Sequence, residues 1–109
     1  MKELRCLVFT EAELIHAVVS RRRKIREPLP VGTVQKVTFE QGEELVTTLH
    51  MADDYGKDCS LRLGAVEVAA AMVNFCIERK IPLPVASNKH LQLLNNSLSL
   101  MITMHTNKT

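Results

Sequence analysis

The tetrapeptide Pro28-Leu29-Pro30-Val31 recurs as Pro82-Leu83-Pro84-Val85, 54 residues further along a chain of 109. The same offset lays Glu13 on Glu67, Ala17 on Ala71 and Val19 on Val73. It also sets Leu14 against Val68, Val18 against Met72, Arg26 against Lys80 and Leu7 against Leu61. Each half then reads strand, helix, Pro-Leu-Pro-Val, hairpin. An ancestral duplication accounts for the pattern. The competing account is coincidence, since helices stopped by proline are common and apolar periodicity produces cheap matches. A duplication implies two βαββ halves, residues 1–54 and 55–109, related by a pseudo-twofold axis. A period this long, present only twice, is not a solenoid.

Local signals place the elements. Thr10 and Glu13 have capping-box spacing, and Phe9 and Leu14 have that of a hydrophobic staple, so a helix starts after Thr10. Leu14, Ile15, Val18 and Ile25 follow at helical spacing, and Pro28 and Pro30 end the helix. Val34, Val37 and Phe39, the turn Gln41-Gly42-Glu43, and Leu45 to Met51 read as a hairpin. Asp53 to Gly56 forms a second turn, and Cys59, Leu61 and Leu63 alternate as a third strand. A second helix near Ala65 to Arg79 is apolar almost all round and must be covered on more than one side. Two final strands, His90 to Leu94 and Leu98 to Met104, meet at Asn95-Asn96, residues that tolerate a tight hairpin. The expected fold is one α+β domain over residues 1–109. Its order is β-α-β-β-β-α-β-β, with a mainly antiparallel sheet and both helices on one face.

Composition narrows the function classes. The hydrophobic fraction of 46% suits a real core, which with three Phe, one Tyr and no Trp is aliphatic. A formal charge of +2 is far from that of a dedicated nucleic-acid binder. Cys6, Cys59 and Cys76 give an odd count without a CxxC pair, which suits a reducing cytosol. Cys59 and Cys76 read as small buried hydrophobes. The first residues lack the apolar core of a signal peptide, and no run reaches the ~20 apolar residues of a spanning helix. A bacterial, cytoplasmic setting is expected. The glycosylation patterns at Asn95 and Asn107 are then chance.

Motifs for chemistry are missing. His16, His50, His90 and His105 show no HExxH and no zinc-finger pairing, although the hairpins could gather three of them in space. Asp53, Asp54 and Asp58 fall short of an EF-hand loop and read as a solvated turn. There is no glycine-rich phosphate loop and no GxSxG elbow. No cofactor, metal or catalytic residue is assigned. The run Arg21, Arg22, Arg23, Lys24, with Arg26, is the most unusual charge feature. It complements the helix dipole, and it is the one candidate contact for an anion or an acidic partner. Arg22 lies on the line of Leu14 and Val18 and is placed to run along the core edge.

The ending helix followed by Lys80-Ile81-Pro82-Leu83-Pro84 and a hairpin resembles small bacterial proteins. The helix followed by IPLP is also similar to HicB-type antitoxins over about five residues. No functional residue carries over from either.

The leading expectation is a small non-enzymatic binding or protein-interaction domain acting as a homodimer. Its expected interface is the second helix or a sheet edge, through Val66, Ala70, Val73, Ile77, Leu100 and Ile102. The last strand counts towards it, as an apolar run with nothing to blunt an edge. The alternatives are a nucleic-acid-binding regulator using the basic end of the first helix and, after it, a small enzyme with a site shared between subunits.

Overall fold

The structure, a computed structural model, describes residues 2–30 and 32–105, without the side chain of His105. Val31 of the first Pro-Leu-Pro-Val segment and the pattern at Asn107 lie outside the described residues. The elements run β1 (Lys2–Val8), α1 (Glu11–Lys24), β2 (Thr33–Gln41), β3 (Leu45–Ala52), β4 (Asp58–Leu63), α2 (Ala65–Glu78), β5 (Asn88–Leu94) and β6 (Ser97–His105). The fold is α+β in the expected order. Its six strands divide into two antiparallel sheets of three, ordered β1-β6-β5 and β2-β3-β4.

The 54-residue offset relates the two helices feature by feature. The bounds of α2 equal those of α1 displaced by 54 residues (Glu11 onto Ala65, Lys24 onto Glu78). Their caps, Thr10 and Gly64, share one extended conformation, with φ of −71° and −74°. Both helices end in the same paired-bond motif. Glu27 N donates to Arg22 O and Ile81 N to Cys76 O, with Arg26 and Lys80 at φ of 60° and 57°. Buried Leu14, Ala17 and Val18 of α1 answer to Val68, Ala71 and Met72 of α2. In the hairpins β2 maps onto β5 at 54. The second turn is tighter, so β3 maps onto β6 at 51 (Leu49 onto Leu100). That turn is Asn95-Asn96, with both residues at positive φ as a two-residue hairpin demands.

The first strand of each half pairs with the hairpin of the other. β1 joins β6, with Leu7 opposite Leu100, and β4 joins β3, with Leu61 opposite Leu49. Each sheet is therefore built from both halves. Between them, buried side chains of both sheets and both helices form one cluster, including Leu14, Leu49, Leu63, Met72, Leu100 and Phe75.

The helices are antiparallel. Lys24 Nζ donates to Asn74 Oδ1 at 2.8 Å, and Ser20 Oγ donates to Glu78 Oε1 at 2.8 Å. Four residues up α1 is thus four residues down α2. These two bonds are counterparts under the 54-residue offset, with lysine on one helix and glutamate on the other.

β6 is the centre of its sheet, flanked by β1 and β5, and so is not an edge. Its apolar run reflects burial on both faces. Leu98, Leu100 and Ile102 enter the core, while Ser99 and Met101 lie on the outer face, hemmed in by neighbouring strands. The expectation for Cys59 also fails, because it is exposed near the start of an edge strand; Cys76 is buried as expected.

Candidate interaction surfaces

The six residues expected at an interface separate into two groups. Leu100 and Ile102 are fully buried in the core of the single chain, so they cannot meet a partner directly. Val66, Ala70, Val73 and Ile77 form a stripe along α2 at helical spacing. Val66 is 84% exposed and Ile77 64%, with Ala70 and Val73 partly buried between them. The opposite face of α2 carries Val68, Ala71, Met72, Phe75 and Cys76 into the core. One side of α2 serves the core, and the apolar residues of the stripe lie outside it.

The basic run is partly spent within the chain. Arg22 Nε lies 2.7 Å from Glu67 Oε1 in a largely sheltered ion pair between the two helices. Lys24 is held by Asn74. Arg21 is half-buried, its Nε without a hydrogen-bond partner among the described residues. Arg23 and Arg26 remain exposed. Arg79 and Lys80, at the end of α2, lie at the other end of an antiparallel pair. Arg79 sits over the Phe75 ring at 4.8 Å. The cations therefore do not merge into one continuous face.

Two open grooves flank the ridge of Ile15 and Val19 on α1. One, of about 820 Å³, runs past His16 and Ser20; the other, of about 610 Å³, lies against Pro28-Leu29-Pro30 and Val34. Arg23 borders both. Among the described residues, no three His, Cys, Asp or Glu side chains gather into a metal-binding group. His50 Nε2 is 2.7 Å from Thr38 Oγ1 on one sheet, and His90 stands on the other. His16 meets the Phe75 ring edge-on at 5.9 Å between centroids. Asp53 closes its turn by accepting from the amides of Tyr55 and Lys57. Burial pushes the Cys76 thiol above its ordinary pKa, with nearby Arg5 lowering it and Glu13 raising it further. A buried thiol held protonated is a packing group and not a nucleophile.

Sequence reasoning missed the outer face of β1. Leu4 and Val8 are 61% and 55% exposed, and Cys6 between them is also exposed. The alternation Leu4, Cys6, Val8 was present in the chain as a signal.

No family model, curated protein or solved structure matches this chain. No helix among the described residues is long and apolar enough to cross a membrane.

Proposed function

We propose that the chain is a non-enzymatic protein-interaction domain that works as a homodimer through α2. The observation that carries this reading is the exposed stripe Val66, Ala70, Val73 and Ile77. The stripe is palindromic. In an antiparallel pair of α2 helices about a twofold axis, Val66 faces Ile77 of the second copy and Ala70 faces its Val73. The small Ala70 leaves room for close approach at the centre. A self-complementary patch of this kind is the commonest route to a dimer.

Magnitudes set the strength. Full burial of a Val or Ile side chain is worth ~1.5–3 kcal/mol. Four such side chains, two from each copy, give on the order of 6 kcal/mol, against association costs of about 4–15 kcal/mol. The α2 contact alone is therefore weak and concentration-dependent. Sedimentation of the wild type from ~1 to ~100 μM tests it, beside a Val66→Glu, Ile77→Glu double variant. A rise in mass with concentration that the variant abolishes supports the reading. A monomer throughout overturns it.

The matched halves support a duplication of a βαββ unit whose first strand is exchanged between copies. Residues 1–54 and 55–109 made separately are then expected to fold only as pairs, mixed or self-associated. A half that folds alone as a monomer, with cooperative unfolding, counts against the proposal.

A further inference from the structure

We infer that the open edge of β1 is a second self-association surface, which pairs antiparallel with β1 of another copy. The two sheets have four edge strands, β1, β5, β2 and β4. Three of them turn polar residues to the outer face. β4 presents Asp58, Ser60 and Arg62; β2 presents Lys36, Thr38 and Glu40; β5 presents Asn88, His90 and Gln92. β1 alone presents Leu4, Cys6 and Val8, with Met101 beside Cys6 on the neighbouring strand. Charged or otherwise blunted edges keep sheets from pairing with other chains, and the outer face of this edge carries no charge from Leu4 to Val8; Arg5 lies on the opposite face, where its Nη1 donates to Pro82 O at 3.1 Å.

The backbone agrees with the side chains. Phe9 N donates to Leu98 O, continuing the β1–β6 ladder. Backbone groups alternate in direction along a strand, so odd-numbered residues of β1 bond to β6. The N–H and C=O groups of Leu4, Cys6 and Val8 consequently point to the open edge. The three residues that expose apolar side chains are all among those that offer free backbone groups.

The occupant follows from register. A twofold axis normal to the sheet through Cys6 sets Leu4 opposite Val8 of the second copy and Cys6 opposite its own counterpart. The charged Lys2 and Glu3 then fall outside the paired stretch. Centring on Leu4 would leave Val8 unpaired, and centring on Arg5 would set like charges face to face. Pairing through Cys6 gives a continuous sheet of six strands, ordered β5-β6-β1-β1-β6-β5 across two copies. This contact is independent of the α2 stripe. A chain with two separate twofold faces assembles beyond the dimer.

Cysteine cross-linking tests the inference. Directly opposed residues of a hydrogen-bonded pair lie about 5.5 Å apart at Cα, within reach of a short bismaleimide. Cys59→Ser leaves Cys6 as the exposed thiol, and Cys6→Ser leaves Cys59. The first variant is expected to form a covalent dimer at micromolar concentration and the second is not. Adding Leu4→Lys and Val8→Lys to the first should abolish the cross-link with the circular dichroism spectrum unchanged. Adding Val66→Glu and Ile77→Glu instead should leave it intact. Absence of the Cys6 cross-link, or its persistence in the lysine variant, overturns the β1 contact. If α2 substitution dissociates a dimer that Cys6 never cross-links, the α2 reading stands and this one falls. If Cys6 cross-links and the α2 substitutions change no mass, the reverse holds.

Discussion

The Glu44 carboxylate accepts a hydrogen bond from the Ala65 amide at 3.3 Å, reaching across from the β2–β3 turn to the first residue of α2. The N-cap of α2 is Gly64, which has no side chain to offer, and a Cβ there would lie 2.9 Å from that same oxygen. The missing side chain makes room for a cap supplied by the other half. α1 caps itself instead. Thr10 Oγ1 accepts from Glu13 N at 3.1 Å, and Glu13 Oε1 accepts from Thr10 N at 2.9 Å. Thr10→Ala is expected to cost ~1 kcal/mol, and Glu44→Ala ~0.5 kcal/mol through its longer single bond. Urea melts of the two variants check both the losses and their order.

Thr47 is fully buried on the core face of β3, and its hydroxyl has no hydrogen-bond partner among the described residues. The matching position of the other hairpin holds Leu98, at the 51-residue offset that carries Leu49 onto Leu100. A buried orphan hydroxyl costs about 1–3 kcal/mol. Thr47→Val keeps the shape, removes the orphan and should stabilise the fold by ~1 kcal/mol. A lower denaturation midpoint for this variant would show that the hydroxyl is satisfied.

Cys76 should resist thiol reagents in the folded chain while Cys6 and Cys59 react at once. Its folded pKa is raised, so the protonated thiol is favoured by folding. That contribution is complete below the unfolded thiol pKa of about 8.5 and declines as pH rises through the folded value. Stability is therefore expected to fall on the alkaline side above about pH 8.5, and to fall less in Cys76→Ala. Reactivity measured with and without denaturant, and melts across that range, provide the check.

Binding of nucleic acid, if measured, should be weak and lost steeply between low and physiological salt. With Arg22 and Lys24 engaged by α2, Arg23 and Arg26 are the exposed cations of the run left for an outside partner. Such binding rests on a few phosphate contacts. Arg23→Gln with Arg26→Gln should remove most of it in fluorescence anisotropy titrations. Tight, sequence-selective binding at physiological salt would contradict this expectation and favour a regulator.

Local chemistry made much of the fold legible. Thr10 and Glu13 marked the start of α1, proline marked its exit, and Asn95-Asn96 marked the tighter hairpin. The neighbours of each strand were not legible. A period of two tells which face a residue takes but not which strand lies beside it. Leu98 to Met104 therefore looked like an unprotected edge, when apolar residues on both faces belong to a central strand. The α2 stripe was readable because Val66 to Ile77 exceed what one buried face can use. Leu4, Cys6 and Val8 alternate as the residues of any half-buried strand do. Their exposure depends on where β1 sits in its sheet.

The exchanged first strand also governs the order in which the molecule can be completed. β2, β3 and β4 follow one another through short turns, so their sheet can close while the rest of the chain is still free. β1 must wait for β6, and its register runs from Lys2 opposite His105 to Val8 opposite Ser99. Closing a span of about 90 residues instead of a turn of about four costs roughly 2–3 kcal/mol more in chain entropy. β1 leaves the ribosome well before the strand it pairs with, and is thus among the last to find its place. Until it does, Leu4, Cys6, Leu7 and Val8 are exposed along an unpaired strand, and a pairing of such long sequence separation is of the kind that slows folding.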